Sequence, residues 1–175
     1  MMPTQINLHG VLLEIFGTGV LLAGDSGIGK SECALDLITR GHRLVADDAV
    51  KINRIEEFIE GSSPELIFEH LEIRGLGIIN VREIFGPTAT CRRIKIELCL
   101  ELKKWDTVEN GERIGLEAQE YEIAGVKIAK FILPVNSGRN LSALVETAVR
   151  VYALRGAGPG AAQHLIEKHT AQLAF

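Results

Sequence analysis

The chain has 175 residues, of which 46% are hydrophobic and 24% charged, a mixture typical of one globular domain rather than a disordered chain. Its 19 Lys and Arg residues against 23 Asp and Glu leave a net charge of −4 with no long basic run, which argues against nonspecific nucleic-acid binding. Neither a membrane-spanning apolar stretch nor a signal-peptide pattern is evident. The three cysteines are never spaced as C-x-x-C, so we expect a reduced, cytoplasmic protein.

The first part of the chain reads as strand, strand, helix and strand. The expected elements are strands over residues 10–16 and 20–23, a glycine-rich loop over 24–29, a helix over 30–40 and a strand over 44–46. Apolar runs bounded by glycine predict the strands, and Gly41 stands where a helix would end. This order predicts an α/β fold.

The rest of the chain is less regular until its last third. The expectations are a loop over 61–64, a short helix up to residue 70, a glycine-punctuated segment over 71–80, a turn over 85–88, a strand over 94–102, a mobile polar loop over 106–115, a hairpin of 120–123 with 126–133, and two helices separated by a break at 156–160. Alternation in 94–102 predicts a half-buried strand of an antiparallel or edge-exposed sheet. An apolar stripe predicts the first helix, through Leu141, Leu144, Val145, Ala148 and Tyr152. We assign residues 1–155 to one domain and 156–175 to its helical tail.

The loop between the second strand and the first helix matches the phosphate-loop pattern G-x-x-x-x-G-K-[ST], as Gly24-Asp25-Ser26-Gly27-Ile28-Gly29-Lys30-Ser31. Its glycines permit positive φ, so that backbone N–H groups can turn inward around an anion at the helix N-terminus. Lys30 can bridge the β- and γ-phosphates, and the Ser31 hydroxyl can bind Mg²⁺. A strand before the loop and an amphipathic helix after it favour nucleotide or polyphosphate binding over an incidental glycine turn.

An acidic pair, Asp47-Asp48, closes the strand that follows the helix. In a right-handed crossover this strand lies close to the phosphate-loop strand, with its carboxyl end at the phosphate edge. One aspartate can then face Mg²⁺ or its water while the other faces the acceptor as a general base. The pair could instead form an acidic turn or a helix cap, and alternation does not tell the two aspartates apart.

Five other polar residues are candidates with plainer alternatives. Glu72 and Arg74 lie in an apolar, glycine-interrupted run, where either could contact metal or phosphate. Arg113 lies in the polar loop and could be solvated or could reach a transferring phosphoryl group. His9, from its spacing alone, is more typical of a surface or capping residue than of a catalytic one, and Arg139 can be solvated or face phosphate.

Taken together, these segments resemble the catalytic domain of bacterial HPr kinase/phosphorylase. The resemblance rests on His9-Gly10, on residues 24–32 and 40–48, on Leu71-Glu72-Ile73-Arg74-Gly75-Leu76-Gly77-Ile78-Ile79, and on residues 134–135 and 138–141. It implies a P-loop fold related to phosphoenolpyruvate carboxykinase, with a mixed sheet, flanking helices and a helical C-terminal tail. The separate N-terminal domain usual in the family is not in this sequence, which leaves a short natural form and a catalytic fragment both open.

The resemblance also implies an activity and its residues. The enzyme would use ATP and Mg²⁺ to phosphorylate a serine of HPr, a phosphocarrier protein, and would reverse that step with phosphate, releasing pyrophosphate. Catalytic roles would fall on His9, Lys30, one of Asp47 and Asp48, and Arg113; Mg²⁺ would lie on Ser31 and Glu72. The resemblance favours Asp48 as the proton acceptor. It assigns residues 71–80 to both directions and 134–139 chiefly to dephosphorylation, and it implies a homohexamer.

Two other functions are compatible with the phosphate loop alone. A regulatory module could sense a nucleotide without transferring phosphate, and a P-loop kinase could act on a small molecule. The acidic pair argues against the first. The second requires a lid and an enclosed pocket, whereas the polar loop and the glycine-broken end of this chain are better suited to docking a protein.

Overall fold

A computed structural model describes residues 5–108 and 115–156 of the chain. It has eleven strands and three α-helices in those residues. The strands are β1 Ile6–His9, β2 Val11–Ile15, β3 Thr18–Gly24, β4 Arg43–Ala46, β5 Ala49–Ile55, β6 Phe58–Ser62, β7 His70–Ile73, β8 Gly77–Asn80, β9 Arg93–Lys104, β10 Gly115–Ile123 and β11 Val126–Val135. The α-helices are α1 Lys30–Thr39, α2 Val81–Phe85 and α3 Leu141–Gly156, and three single 3₁₀ turns cover Glu65–Ile67, Pro87–Ala89 and Trp105–Thr107.

Nine strands form one mixed sheet, in the order β1-β5-β6-β9-β3-β2-β4, with β11 also paired to β9 and β10 to β11. β3 and β11 both run parallel to β9. β2 pairs antiparallel with both β3 and β4, so β4 runs in the same direction as β3. The carboxyl ends of β3 and β4 therefore lie at one edge, as expected, although β2 separates the two strands.

The middle of the sheet is buried on both faces. Adjacent residues of β2, Leu12 and Leu13, belong to different apolar clusters because side chains alternate along a strand. The cluster that contains Leu13 also holds the inner sides of α1 and α3, including Leu37 and Val145. The two helices thus pack on one face of the sheet and hold the end of β3, where the phosphate loop begins.

Most predicted elements agree with the structure, including the hairpin of β10 and β11, whose turn residues Ala124 and Gly125 both have positive φ. The half-buried pattern predicted for β9 is confirmed, but its place in the sheet is only partly as predicted. β9 is a central strand, antiparallel to β6 over residues 93–95 and parallel to β3 and β11 over residues 96–104, so it is part of a mixed sheet rather than an edge strand. Its charged side is partly covered, because Lys130 of β11 lies 2.8 Å from the Glu101 carboxylate, whereas Lys95 stays exposed.

Two further expectations are corrected. The loop over 61–64 begins within β6, and the short helix before residue 70 is only the single turn Glu65–Ile67. A Cβ at Gly61 would overlap the side chains of Leu12 and Ile96, so this glycine permits close packing instead of marking a turn. β1 and the β5–β6 hairpin were not predicted.

Helix α3 is confirmed, and it buries Ser142, Val145, Ala148 and Val149. The expected helical tail after residue 156 and most of the polar loop, residues 109–114, lie outside the described residues. Within the described ranges, no helix is long and apolar enough to cross a membrane.

Candidate active site

The phosphate loop connects β3 to α1, and its shape is set by three glycines. Gly24, Gly27 and Gly29 have φ of 141°, 81° and 107°, a region that other residues rarely adopt. At Gly24 a side chain would also meet the backbone, since a Cβ there would lie 2.6 Å from the Leu102 carbonyl oxygen. These are the conformations predicted for a loop that turns its N–H groups toward an anion.

Lys30 lies across this loop at the start of α1. Its Nζ donates hydrogen bonds to the carbonyl oxygens of Gly24 at 2.8 Å and Asp25 at 2.9 Å. Burial lowers the pKa of Lys30, while the carboxylates of Asp25, Asp47 and Asp48 act in the opposite direction. The loop backbone therefore holds the Lys30 ammonium group in place, close to the carboxylates of Asp25, Asp47 and Asp48. This position suits a lysine that binds phosphate oxygens.

Asp47 is the buried member of the acidic pair, at 7% exposure. One carboxylate oxygen accepts a hydrogen bond from the Ser31 hydroxyl at 3.1 Å, and the other accepts from the Glu72 backbone N–H at 3.0 Å. Burial raises the pKa of Asp47, and those two hydrogen bonds oppose the rise. Asp47 thus joins the phosphate-loop helix to strand β7, and its carboxylate points toward Ser31.

Asp48 lies in a different environment although it is the next residue. Its φ is 67°, in the left-handed region, at the sharp turn between β4 and β5. Its side chain is 72% exposed, and one carboxylate oxygen lies 3.1 Å from Nδ1 of His9. Pairing of β1 with β5 puts His9 opposite Ala49, which brings the histidine to this turn. Alternation along the strand did not distinguish the two aspartates in the sequence. The structure does, because the chain kinks at Asp48 and exposes only that side chain.

The hairpin of β7 and β8 forms a further wall of the site. Leu71 and Ile73 of β7 are buried, so Glu72 between them points away from the core. Arg74 follows, and its guanidinium nitrogen would lie 3.4 Å from a Cβ placed at Gly27 of the phosphate loop. The hairpin therefore brings one carboxylate and one guanidinium up to the loop.

These walls line a half-open cavity of about 330 Å³. It is lined by His9, Gly10, Val11, Ser26, Gly27, Gly29, Lys30, Ser31, Glu32, Asp47, Asp48, Glu72 and Arg74. Of the residues predicted for the site, Gly24, Asp25 and Ile28 do not line it. The carbonyl oxygens of Gly24 and Asp25 accept hydrogen bonds from Lys30 Nζ, and Ile28 packs against the apolar core. Arg113 lies outside the described residues.

Some lining residues were not singled out from the sequence. Gly10, Val11 and Glu32 line the cavity, and Arg74 was named only as a possible metal or phosphate contact. Glu32 could have been found, because it follows Ser31 in the first turn of α1. Gly10 was quoted beside His9 for the resemblance but was given no role in the site, which it reaches through a hydrogen bond from its backbone N–H to the Asp48 carbonyl oxygen at 3.1 Å. Val11 carried no signal, since it reaches the site only through the pairing of β2 in the sheet.

The oxygen donors around Ser31 fit a Mg²⁺ ion that is shared with phosphate. Mg²⁺ typically keeps waters and takes one or two carboxylates together with substrate phosphates. The Ser31 hydroxyl and the carboxylates of Asp47 and Glu72 all line the cavity. Over residues 5–108 and 115–156 there is no group of three or more His, Cys, Asp or Glu that could hold a metal by themselves. The donor set therefore suits an ion that arrives with a nucleotide.

Comparison with known proteins assigns the family. The family model described as the HPr Serine kinase C-terminal domain matches residues 1–169. The chain belongs to this family. Two curated HPr kinase/phosphorylases, from Geobacter sulfurreducens and Bacillus cereus, are 43% and 48% identical over 99% and 92% of the chain. Those matches cover 54% and 52% of the relatives, so the chain spans about half their length.

A solved structure agrees with the family assignment. It is titled an Hpr(Ser) kinase/phosphatase from Coxiella burnetii, and it matches with a TM-score of 0.83 and 33% sequence identity. The match covers 91% of this chain and 98% of that chain. The P-loop α/β fold with a mixed sheet and flanking helices, expected from the resemblance, is confirmed.

Proposed function

We propose that this chain is a catalytic domain that transfers the γ-phosphoryl group of ATP to a serine of HPr and reverses that transfer with inorganic phosphate. The observation that carries the proposal is the meeting of Lys30, Asp47 and Asp48 at one cavity. The names of the relatives supply HPr as the acceptor. The proposal includes cytoplasmic location and the homohexamer implied by the resemblance, and no nucleic-acid or membrane partner.

On the donor side, we assign the polyphosphate to the loop and to Lys30. The loop glycines allow N–H groups to face the phosphates, and Lys30 neutralises charge on the β- and γ-phosphates. Ser31, Asp47 and Glu72 would hold Mg²⁺, which when bound neutralises phosphate charge. Arg74, beside Gly27, is placed to bind oxygens of the transferring phosphoryl group. Arg113 keeps a catalytic role from the resemblance only.

On the acceptor side, we assign the proton transfer to Asp48. In the kinase direction the serine oxygen bonds to the γ-phosphorus, the serine proton passes to the Asp48 carboxylate, and the bond to the β–γ bridging oxygen breaks to leave ADP. In the reverse direction an oxygen of hydrogen phosphate bonds to the phosphorus of the phosphoserine and the bond from that phosphorus to the serine oxygen breaks. Asp48 takes the proton of the incoming phosphate and passes it to the serine oxygen, and pyrophosphate leaves. His9, at 3.1 Å, orients the carboxylate. An exposed carboxylate can meet a protein-bound serine, and Asp47 is too buried to do so.

The direct test is the mass of HPr after incubation with this chain, ATP and Mg²⁺, using HPr from the organism of one of the relatives. We expect HPr to gain one phosphoryl group, and we expect added phosphate to remove it with formation of pyrophosphate. HPr that stays unmodified while the chain binds ATP would identify a nucleotide-sensing module. Phosphorylation of a small molecule in place of HPr would equally contradict the proposal.

A further inference from the structure

Asp48 carries its carboxylate on a tightly bent backbone. Its φ of 67° is uncommon for a residue with a side chain, and the Ala49 N–H donates a hydrogen bond to the Asp47 carbonyl oxygen at 2.8 Å. This bond joins residues two apart and closes a γ-turn around Asp48, and a γ-turn with positive φ is rare and strained. A strained residue keeps its conformation only where neighbouring groups hold it. The groups that hold Asp48 therefore determine where the proposed proton acceptor lies.

One of those groups is the backbone of Gly10. Its N–H donates a hydrogen bond to the Asp48 carbonyl oxygen at 3.1 Å. Strand pairings flank this contact on both sides, β1 with β5 and β2 with β4. The segment from β1 to β2 and the segment from β4 to β5 therefore run side by side through their bends, and the hydrogen bond from Gly10 joins them at Asp48.

The lack of a side chain at Gly10 sets a second distance. A Cβ there would lie 2.7 Å from the Leu22 carbonyl oxygen and 3.1 Å from the Leu21 side chain. Leu22 belongs to β3, the strand that leads into the phosphate loop at Gly24. Gly10 thus lies against both the strand that carries the phosphate loop and the residue proposed as proton acceptor. Its small size allows the close approach of the two.

A side chain at position 10 would displace the bend between β1 and β2 rather than the phosphate loop. β3 lies inside the sheet between β2 and β9, whereas β1 stands at one end of the strand order. A strand that is paired on both sides is held more firmly than a strand at an edge. Movement of the bend away from Leu22 would alter the hydrogen bond from Gly10 to Asp48 and displace the turn.

We infer that Gly10 is a positioning residue for phosphoryl transfer. Its N–H and its lack of a side chain hold Asp48 in the strained turn, at the separation from the phosphate loop that transfer requires. This inference rests on the proposed function and goes beyond it, because Gly10 affects the reaction only through Asp48.

The experiment compares HPr phosphorylation, and its reversal by phosphate, in the wild-type chain and in Gly10→Ala. We expect kcat in both directions to fall by about 10²-fold, since a misplacement of about 1 Å can reduce a rate by that much. The affinity for ATP, measured by calorimetry without HPr, should stay within about twofold of the wild type. Gly17→Ala is the matched control: its φ of 78° lies in the turn between β2 and β3, so the same substitution should lower the melting temperature and keep kcat.

Two further measurements separate positioning from a general loss of structure. If Gly10 acts through the Asp48 carboxylate, Gly10→Ala should lower the rate by less than about twofold when Asp48→Asn is already present. A semisynthetic chain with glycolic acid in place of Gly10 has an ester there, so it lacks the N–H donor but adds no side chain against Leu22. We expect its kcat to fall about three- to tenfold, the usual effect of one hydrogen bond.

The outcomes separate this inference from the proposed function. A wild-type chain that does not phosphorylate HPr contradicts the proposed function, and the inference with it. With an active wild type, a normal kcat for Gly10→Ala overturns only the positioning role, and so does an equal loss of rate with and without the Asp48 carboxylate. Should Gly10→Ala not fold, the ester chain provides the test: a reduced kcat supports the inference, and an unchanged kcat overturns it.

Discussion

The phosphate loop and the wall opposite it differ in how they are built. The loop is shaped by its backbone, because Gly24, Gly27 and Gly29 all have positive φ within one short segment. The opposite wall consists of side chains from separate strands, where His9 ends β1, Asp48 follows β4 and Glu72 lies in β7. The conformation of the loop depends on its local sequence. The opposite wall, which we call the acceptor wall, forms only when the sheet brings His9, Asp48 and Glu72 together. We therefore expect mutations in the two regions to damage different properties.

The largest expected effect is on the loop side, at Lys30. The Lys30→Ala variant should lose about 10³-fold in rate in both the kinase and the phosphorolysis directions, because both need the charge that holds the phosphates. The measurement is the rate of HPr phosphorylation and of pyrophosphate release. Lys51→Ala, on β5 and away from the cavity, is the control with the same loss of charge. A normal rate for Lys30→Ala would show that the phosphate loop is wrongly assigned.

A second effect tests the metal assignment on the opposite wall. Glu72→Gln should raise the Mg²⁺ concentration needed for half-maximal activity by at least about tenfold, since even indirect partners of a metal contribute about 10- to 100-fold to its affinity. Titration of activity with Mg²⁺ at saturating ATP measures this change. Glu83→Gln, on the exposed side of α2, removes the same charge outside the cavity and should leave the titration unchanged. A proportional loss of rate at all Mg²⁺ concentrations would argue against a metal role.

His9 sharpens the comparison within the acceptor wall. His9→Asn should lower the rate of transfer by up to about fivefold, because an exposed polar contact of this kind contributes up to about 1 kcal/mol. The effect should vanish when Asp48→Asn is already present, since His9 acts through that carboxylate. Rates of the single variants and the double variant form the required cycle. Independent losses that multiply in the double variant would give His9 a role of its own.

The smallest expected effect is on stability. It distinguishes Asp47, whose pKa is raised, from Asp36, whose pKa is lowered. Burial raises the pKa of Asp47, so its charged form is disfavoured in the folded state and its contribution to stability falls as pH rises above the ordinary Asp range. Asp47→Asn should therefore raise the melting temperature at neutral pH and lose this advantage at acid pH.

Asp36→Asn is the matched control for Asp47→Asn and should shift stability in the other direction. Hydrogen bonds from the Ser142 hydroxyl and from Arg40 hold the pKa of Asp36 below its ordinary value. Its contribution is present at neutral pH and is lost as pH falls, so the variant should melt slightly below the wild type at neutral pH. Thermal melts of both variants at neutral and acid pH measure the two signs. Equal signs would contradict the distinction between the two carboxylates.

The same division explains how far the sequence could predict the molecule. The phosphate loop and α1 were predictable because a local run of residues sets both their conformation and their ends. The partners of β9 were not, because alternation reports which side chains are polar but not that Lys130 would pair with Glu101. The contact of His9 with Asp48 depends on the pairing of β1 with β5, and nothing in the local pattern of either residue indicates it.

The central claim is that two neighbouring carboxylates have separate tasks, with Asp48 handling the proton of the acceptor and Asp47 facing Ser31. The most direct measurement is the rate of HPr phosphorylation by Asp48→Asn at saturating ATP, together with its affinity for ATP. We expect the rate to fall at least about 10²-fold, as for the loss of a general base, with the ATP affinity unchanged within about twofold. An equal loss of ATP affinity, or an unchanged rate of transfer, would contradict the account.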